Sequence, residues 1–333
     1  MELIEGNEAI VKGAVKAGLG FFAGYPITPA SEIMHSIAKR KDVNFVQMED
    51  EIAAVNAVIG GSLGGAKSFT ATSGPGFSLM QEGIGFAHMI EVPIVIVNVQ
   101  RVGPSTGMPT KTAQGDLMQS KFGSHGDYFP IVFYPNSVTE LYEMTIQAFN
   151  ASEKASMPVV LLSDGFLAHL HETVDLEKMN LKIEERKLKP FGKEKRHFTG
   201  LTHEGNIPMP QDFEVHKKFL EHLKEKTEKV AKEHAYFEFS GNKKSKTLII
   251  CFGGLSRRLS YLKDEFAFFR PIRIWPVLEK ELKIVAEKFD KVVVIEENMG
   301  QYVREVERVL KKEVKFISIF GEFDSEKLRE QLK

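Results

Sequence analysis

Residues 21–33, FFAGYPITPASEI, contain the pattern that decides the fold. A short apolar strand runs into a loop with a tyrosine, two prolines and a threonine, and a helical pattern begins at Ala30 or Ser31. A strand that leads into a helix through a short loop is the repeating unit of α/β proteins. We therefore expect an α/β fold, with this loop at the edge of the sheet where ligands commonly bind.

The same pattern repeats through residues 1–170. Six runs are almost continuously apolar, which is typical of strands buried on both faces of a parallel sheet. These runs are LGFFAG, VNFVQM, KSFTATS, PIVIVNV, IVFYP and PVVLLSD. Helical stretches lie between them. Asn7 is a candidate N-cap of the first helix and Gly18 a candidate residue to end it, whereas Ser137 is expected to cap a later one.

Beyond residue 170 the composition changes twice. Residues 171–245 are dense in charge and are predicted to form a connector with an ordered loop, FTGLTHEGNIPMPQD, and an amphipathic helix. Strands and helices alternate again in residues 246–333, which predicts a second, smaller α/β domain. Its expected strands are KTLIICFGG, PIRIWP, KVVVIEE and VKFISIFG.

The composition excludes several classes of function. Of the 333 residues, 43% are hydrophobic and the formal net charge is −1, so neither a nucleic acid nor a membrane surface is an expected partner. No run of about 18 apolar residues occurs, and the N-terminus lacks a secretory pattern, so a cytoplasmic location is expected. The single cysteine, Cys251, lies in an apolar run and is read as a buried core residue. One cysteine cannot hold an iron–sulfur cluster, which typically needs about four thiolates.

Four consecutive strand ends contain residues suited to binding. The segments are GYPITP, QMEDE, ATSGPGFS and NVQRVGPSTGMPTKT. Because the carboxyl ends of parallel strands meet at one edge of a sheet, we expect these segments to form a common site. Ser73, Gly74, Pro75 and Gly76 form a tight turn whose N–H groups can hold an anion, although a purely structural turn is an equal alternative.

Charged candidates lie beside that turn. Glu51 opens a helix, where a plain capping role is the alternative, and Glu49 and Asp50 compete with it for any catalytic role. Arg101 directly follows a strand and can bind a carboxylate or phosphate through two parallel hydrogen bonds. Thr106 and Thr110 add hydroxyls on the same loop, whereas His125 is read as a structural residue.

Taken together, these motifs closely resemble the alpha subunit of 2-oxoacid:ferredoxin oxidoreductases. The resemblance rests on YPITP, on Glu51 with AAVNAVIGG, on TATSGPGFSLMQEG and on VQRVGPSTGMPTKTAQGDL. The form QRxGPSTGxPT, together with TGLTHEG and VVVIEENMGQYVREV, resembles the 2-oxoglutarate-type branch. The resemblance covers nearly the whole chain and is strongest over residues 24–127. It implies a pyrimidine-binding domain for thiamine diphosphate, followed by a domain similar to the transketolase C-terminal one.

The resemblance also implies roles for individual residues. Glu51 would be the catalytic carboxylate that hydrogen-bonds the aminopyrimidine ring of thiamine diphosphate. Thr28 and Arg101 would bind the 2-oxoacid, with Thr106 or Thr110 as candidates for its second carboxylate. The remaining cofactor-binding residues would be Tyr25, Pro26, Ile27, Ser73, Gly74, Pro75 and Gly76.

The chain lacks part of the machinery that this resemblance implies. The family's diphosphate motif, GDG, occurs nowhere in the sequence. The diphosphate end of the cofactor, Mg²⁺ and the iron–sulfur cluster are therefore expected on a beta subunit, with coenzyme A as co-substrate and ferredoxin as electron acceptor. The expected assembly is a dimer of heterodimers. Two alternatives are another thiamine enzyme, similar to acetolactate synthase or transketolase, and a non-catalytic scaffold subunit.

Overall fold

The structure is a computed structural model that describes residues 1–332, with every side chain in that range except that of Glu177. The strands are β1 Glu2–Glu5, β2 Leu19–Gly24, β3 Asn44–Gln47, β4 Lys67–Thr72, β5 Val95–Gln100, β6 Ile131–Phe133, β7 Val159–Asp164, β8 His171–Val174, β9 His203–Glu204, β10 Ile207–Pro208, β11 Phe237–Gly241, β12 Thr247–Ile250, β13 Ala267–Pro271, β14 Arg273–Trp275, β15 Lys291–Glu296 and β16 Lys315–Ser318.

The α-helices alternate with these strands along most of the chain. They are α1 Gly6–Lys16, α2 Ser31–Ala38, α3 Glu51–Leu63, α4 Gly74–Met89, α5 Leu117–Phe122, α6 Val138–Ala155, α7 Gly165–Ala168, α8 Phe213–Glu233, α9 Gly253–Arg258, α10 Glu279–Ala286, α11 Tyr302–Leu310 and α12 Ser325–Leu332. None of the described helices is both long enough and apolar enough to cross a membrane.

The larger sheet has seven strands in the order β14-β6-β7-β5-β4-β2-β3. All neighbours in it are parallel except β14, which runs antiparallel to β6. The central strands β4, β5 and β7 are buried along their whole length, because helices cover both faces. All six strands predicted for residues 1–170 are present, and the predicted parallel sheet is confirmed.

The smaller main sheet has five strands in the order β11-β13-β12-β15-β16. Its edge strand β11 is antiparallel to β13, and the other pairs are parallel. Two strands pair across the division expected from the sequence, because β11 lies in the predicted connector and β14, from the predicted second domain, joins the first sheet. The boundaries after residues 170 and 245 stay a prediction.

The predicted helix ends are mostly confirmed. Ser137 caps α6 by accepting a hydrogen bond from the Glu140 N–H at 3.1 Å, and Gly18 follows α1 with φ of 93°. The assignment of Asn7 as the cap of α1 is wrong, because the helix begins earlier and Glu5 occupies the cap position. Asn7 is instead buried and donates its side-chain amide to the Pro29 carbonyl at 2.9 Å.

Candidate functional site

The structure separates the three neighbouring carboxylates before and at the start of α3. Asp50 is the N-cap residue, since its carboxylate accepts the Ala53 N–H at 2.7 Å. Glu49 is exposed to solvent. Glu51 is only 4% exposed, and its carboxylate is not used to cap the helix. Of the three, Glu51 is therefore the carboxylate that the fold places inside the protein with bonding capacity to spare.

The glycine-rich turn between β4 and α4 approaches the Glu51 carboxylate closely. A Cβ atom on Gly76 would lie 2.2 Å from Glu51 Oε1 and 2.1 Å from Thr72 Oγ1, so only glycine fits at this position. Burial raises the pKa of Glu51, and the Arg101 charge and the Thr72 hydroxyl offset only part of that effect. Glu51 therefore keeps its proton to a higher pH than an exposed glutamate does.

The same turn presents an unused hydroxyl. Ser73 occupies the N-cap position of α4 and is fully buried, but its side chain makes no cap hydrogen bond. Its Oγ has no partner among the residues that the structure describes. A buried hydroxyl without a partner at a helix N-terminus is suited to a polar ligand group.

Arg101 connects two of the predicted segments. It lies directly after β5, is 7% exposed, and donates from a terminal guanidinium nitrogen to the Thr28 carbonyl at 2.8 Å. Its Nε has no partner within residues 1–332. Together with the bond from Asn7 of α1 to the Pro29 carbonyl, this contact holds two consecutive carbonyls of the YPITP loop in place. The Thr28 side chain is exposed on that loop, Tyr25 is 39% exposed, and Pro26 and Ile27 are half-buried.

The loop after Arg101 folds back on itself. The Val102 N–H donates to the Lys111 carbonyl and the Met108 N–H to the Val102 carbonyl, each at 2.9 Å. Thr106 and Thr110 lie exposed on this loop and are not among the residues that line the cleft beside Arg101. Their assignment to the substrate stays a prediction.

A cleft of about 390 Å³ lies between the two main sheets, and we call it the inter-sheet cleft. Its first wall is formed at the carboxyl ends of β4 and β5, and its second wall by the segments after β15 and β16. The lining residues used below are Gly74, Pro75, Ser78, Arg101, Asp116, Gln119, Glu297, Asn298 and Gln301.

Two acidic residues of the cleft were missed by the sequence analysis. The Asp116 carboxylate accepts a hydrogen bond from Asn98 Nδ2 at 2.9 Å, and burial raises its pKa. Glu297 is completely buried and forms an ion pair with Arg258. Burial, with the nearby charge of Asp164, raises the pKa of Glu297 to about 7. The available signal was an acidic residue in each of two quoted motifs, TAQGDL and VVVIEENMGQY.

The second wall is fastened to the first by side-chain amides. Gln114 donates to the Phe252 carbonyl at 2.9 Å and accepts the Glu297 N–H at 3.1 Å. Gln301 donates to the Gly115 carbonyl at 2.6 Å and accepts the Met118 N–H at 2.8 Å, so it joins the segment after β15 to the start of α5. These bonds fix the position of the loop that ends at Asp116.

Two side chains, those of Asn298 and Glu296, cap the N-terminus of α11. Asn298 accepts the N–H groups of Gly300 and Gln301, so it does contribute to the cap. The larger part comes from Glu296, whose carboxylate accepts the Tyr302 and Val303 N–H groups at 2.9 Å each. The Asn298 amide also donates to the Gln114 carbonyl at 2.9 Å.

The arrangement combines a buried carboxyl with a raised pKa, a fixed guanidinium and an unused hydroxyl at one sheet edge. Such a set can bind an anionic substrate beside a polar aromatic cofactor and can hold a proton near it. Within the described part of the chain, no three His, Cys, Asp or Glu side chains converge closely enough to hold a metal ion.

Comparisons with known proteins agree with this chemistry. The model of the family described as pyruvate flavodoxin/ferredoxin oxidoreductase, thiamine diphosphate-binding, matches residues 12–237. The chain is 44% identical to the 2-oxoglutarate synthase subunit KorA of Archaeoglobus fulgidus, over 96% of this chain and 95% of that relative. It is 42% identical to the subunit of the same name from Methanocaldococcus jannaschii, over 94% of this chain and 92% of the relative.

A solved structure has the same fold. It is a 2-oxoglutarate:ferredoxin oxidoreductase from Magnetococcus marinus with 2-oxoglutarate, coenzyme A and succinyl-CoA bound. The TM-score is 0.91 and the sequence identity is 31%. The match covers 100% of this chain but 65% of the solved one, so this chain spans about two thirds of that neighbour.

Proposed function

Since the chain belongs to the pyruvate flavodoxin/ferredoxin oxidoreductase family, as an alpha subunit of the 2-oxoglutarate type, we propose that it catalyses oxidation of 2-oxoglutarate within a larger complex. In the balanced reaction, 2-oxoglutarate and coenzyme A give succinyl-CoA, CO₂, a proton and two electrons, which reduce ferredoxin. The similarity to the two archaeal subunits favours this function over a self-contained thiamine enzyme and over a scaffold.

The observation that supports the proposal most is the surroundings of Glu51. Thiamine diphosphate, when bound, supplies the chemistry that stabilises a carbanion during decarboxylation. The residues present suit its pyrimidine ring, because Glu51 is a buried carboxyl with a raised pKa, Ser73 is an unpartnered hydroxyl, and Gly76 lets the turn approach Glu51 closely. Glu51 would hold the proton that a ring nitrogen shares, which is the role of the catalytic carboxylate.

The substrate would bind beside that carboxyl. Arg101 has an unused Nε and is held rigidly by the Thr28 carbonyl, so it offers a preformed site for the 2-oxoacid carboxylate. Thr28 would contact the substrate near the reacting carbon, on a loop that Arg101 and Asn7 hold in place. The wall of the site would be completed by Tyr25, Pro26, Ile27, Gly74 and Pro75.

The other half of the site would come from a partner. The sequence contains no GDG and one cysteine, so we assign the diphosphate ligands, Mg²⁺ and the iron–sulfur cluster to a beta subunit. Coenzyme A would react within that complex, ferredoxin would receive the electrons, and the complex would be a dimer of heterodimers.

A substrate panel tests this function. The chain is produced together with its beta subunit, and CoA-dependent reduction of a viologen dye is measured with 2-oxoglutarate, pyruvate and branched-chain 2-oxoacids. We expect the highest kcat/KM with 2-oxoglutarate and no turnover by this chain alone. A higher kcat/KM with another oxoacid would overturn the substrate assignment, and turnover by the isolated chain would overturn the need for a partner.

A further inference from the structure

Asp116 occupies a helix N-cap position but does not behave as a cap. An aspartate there commonly accepts an N–H of its own helix, and Asp116 makes no such bond with α5. Its carboxylate is turned toward Asn98 Nδ2 at 2.9 Å and lines the inter-sheet cleft. A Cβ atom on Gly74 would lie 3.4 Å from Asp116 Oδ2, so the carboxylate faces the turn between β4 and α4.

The position of Asp116 is fixed from the backbone as well. Its N–H donates to Gln100 Oε1 at 3.1 Å, and Gln100 is the last residue of β5. Arg101 is the next residue after that strand and lines the same cleft. The fold therefore holds Asp116 and Arg101 in one cleft from the same strand end.

Charged groups face Asp116 from two parts of the cleft, and uncharged side chains line a third part. Arg101 lies within electrostatic reach of both Asp116 and Glu51, and it forms no ion pair with either. Across the cleft, Glu297 is paired with Arg258. The side chains that line the cleft from α4 and α5, Ser78 and Gln119, are uncharged and bond each other at 2.6 Å.

An anion bound at Arg101 would thus share the cleft with the Asp116 carboxylate. Two negative charges at close range favour protonation of one of them. Burial already raises the pKa of Asp116 even though Asn98 and Arg101 act in the opposite direction. A protonated Asp116 gains an O–H donor, which an anion accepts.

We propose that Asp116 is a substrate-binding residue that donates its carboxyl O–H to the anion held by Arg101, so the substrate binds with uptake of a proton at Asp116. The inference rests on the proposed function, because it takes a 2-oxoacid as the anion. It explains why the side chain is directed to the cleft and not to its own helix.

Calorimetry tests the proton uptake without relying on turnover. N-oxalylglycine, an unreactive analogue of 2-oxoglutarate, is titrated into the complete complex in buffers of different protonation enthalpy. Above the pKa of Asp116 we expect uptake of about one proton per site in the wild type and none in Asp116→Asn, which is neutral and nearly isosteric. Asp127→Asn, at an exposed position of the next loop, is the matched control and should take up the proton normally.

Kinetics supply the second measurement. We expect the KM for 2-oxoglutarate to rise by about tenfold per pH unit above the pKa of Asp116, and Asp116→Asn to flatten that dependence. The main effect should fall on KM, with a smaller effect on kcat. Asp116→Glu keeps a titratable carboxyl and should retain the pH dependence, which leaves the proposal testable if the asparagine variant does not assemble.

Two outcomes would overturn the proposal: unchanged proton uptake in Asp116→Asn, or a loss of kcat with an unchanged pH profile of KM. Failure of the proposed function is separate, because it appears as a wild-type complex that prefers a different 2-oxoacid. In that case the KM measurement with the preferred oxoacid decides the role of Asp116.

Discussion

The carboxyl edges of the two main sheets contain similar residues in different states. At the edge of the first sheet, Glu51, Ser73 and Arg101 are buried, and Ser73 Oγ and Arg101 Nε have no partner among the described residues. At the edge of the second sheet, Glu296 accepts the Tyr302 and Val303 N–H groups and the Asn298 amide. The Glu296 carboxylate is therefore fully used within the second edge, whereas Oε2 of the neighbouring Glu297 has no partner among the described residues.

Glu51 and Glu296 show what the difference means. Both are buried, both lie near the junction of a strand and a helix, and burial raises the pKa of both. The oxygens of Glu296 are taken up by backbone N–H groups, so its role is to hold α11 in place. Glu51 has few partners, because Asp50 caps α3 in its stead. For these two carboxylates, the number of backbone N–H groups that each accepts distinguishes the candidate ligand-binding residue from the structural one.

The strongest test of this comparison is Glu51→Gln. We expect the complex to assemble and its oxoacid-dependent viologen reduction to fall by about 10³-fold, because glutamine cannot exchange a proton with the cofactor. Glu49→Gln, at the exposed neighbour, is the control and should leave the rate unchanged. Wild-type rates in Glu51→Gln would remove the catalytic assignment.

Replacement of Arg101 tests the candidate substrate-binding residue at the edge of the first sheet. Arg101→Lys keeps the charge but loses the planar donor pair, so we expect kcat/KM for 2-oxoglutarate to fall by about 10²-fold. Arg40→Lys, at a surface arginine that pairs with Asp42, is the matched control. A similar loss with both variants would indicate a general effect on the fold.

Glu297 makes the stability of the protein depend on pH. The pKa of Glu297 is about 7 in the folded state, and its ordinary value is 4.5. Its contribution to the free energy of unfolding is therefore complete below about pH 4.5 and is lost as the pH rises through 7. Between pH 4.5 and pH 7 we expect the free energy of unfolding to fall by about 1–3 kcal/mol more in the wild type than in Glu297→Gln. Thermal unfolding at several pH values measures this difference, with Glu313→Gln at an exposed site as control. If the stability of the wild type and of Glu297→Gln changed equally with pH, the raised pKa of Glu297 would be refuted.

The link between the two edges is tested through Gln114. Gln114→Ala removes the bonds to the Phe252 carbonyl and the Glu297 N–H, and we expect a loss of about 2 kcal/mol in the free energy of unfolding. Gln47→Ala, at an exposed glutamine, is the control and should reduce the free energy of unfolding much less. Equal losses from denaturant titrations of the two variants would show that Gln114 does not join the sheets.

Much of the fold was predictable from local sequence. The six apolar runs of the first sheet and the caps at Ser137 and Gly18 were identified correctly, because buried parallel strands and helix ends have strong local signals. The pairing of β14 with β6 was not predictable, since a three-residue strand contains no information about its partner. The role of Asn7 was missed for a related reason, as its bond to Pro29 joins residues 22 positions apart.

The sequence by itself determined the fold class, the family and the segments of the candidate site, because these follow from apolar periodicity and from motifs of adjacent residues. Only the tertiary structure distinguished Glu51 from Glu49 and Asp50, placed Asp116 and Glu297 in the inter-sheet cleft, and left Thr106 and Thr110 outside it. The physical reason is that burial and unused hydrogen-bonding capacity depend on segments far apart in the chain. Glu51 packs against Thr72 and Gly76, and the pKa of Glu297 depends on the charges of Asp164 and Arg258.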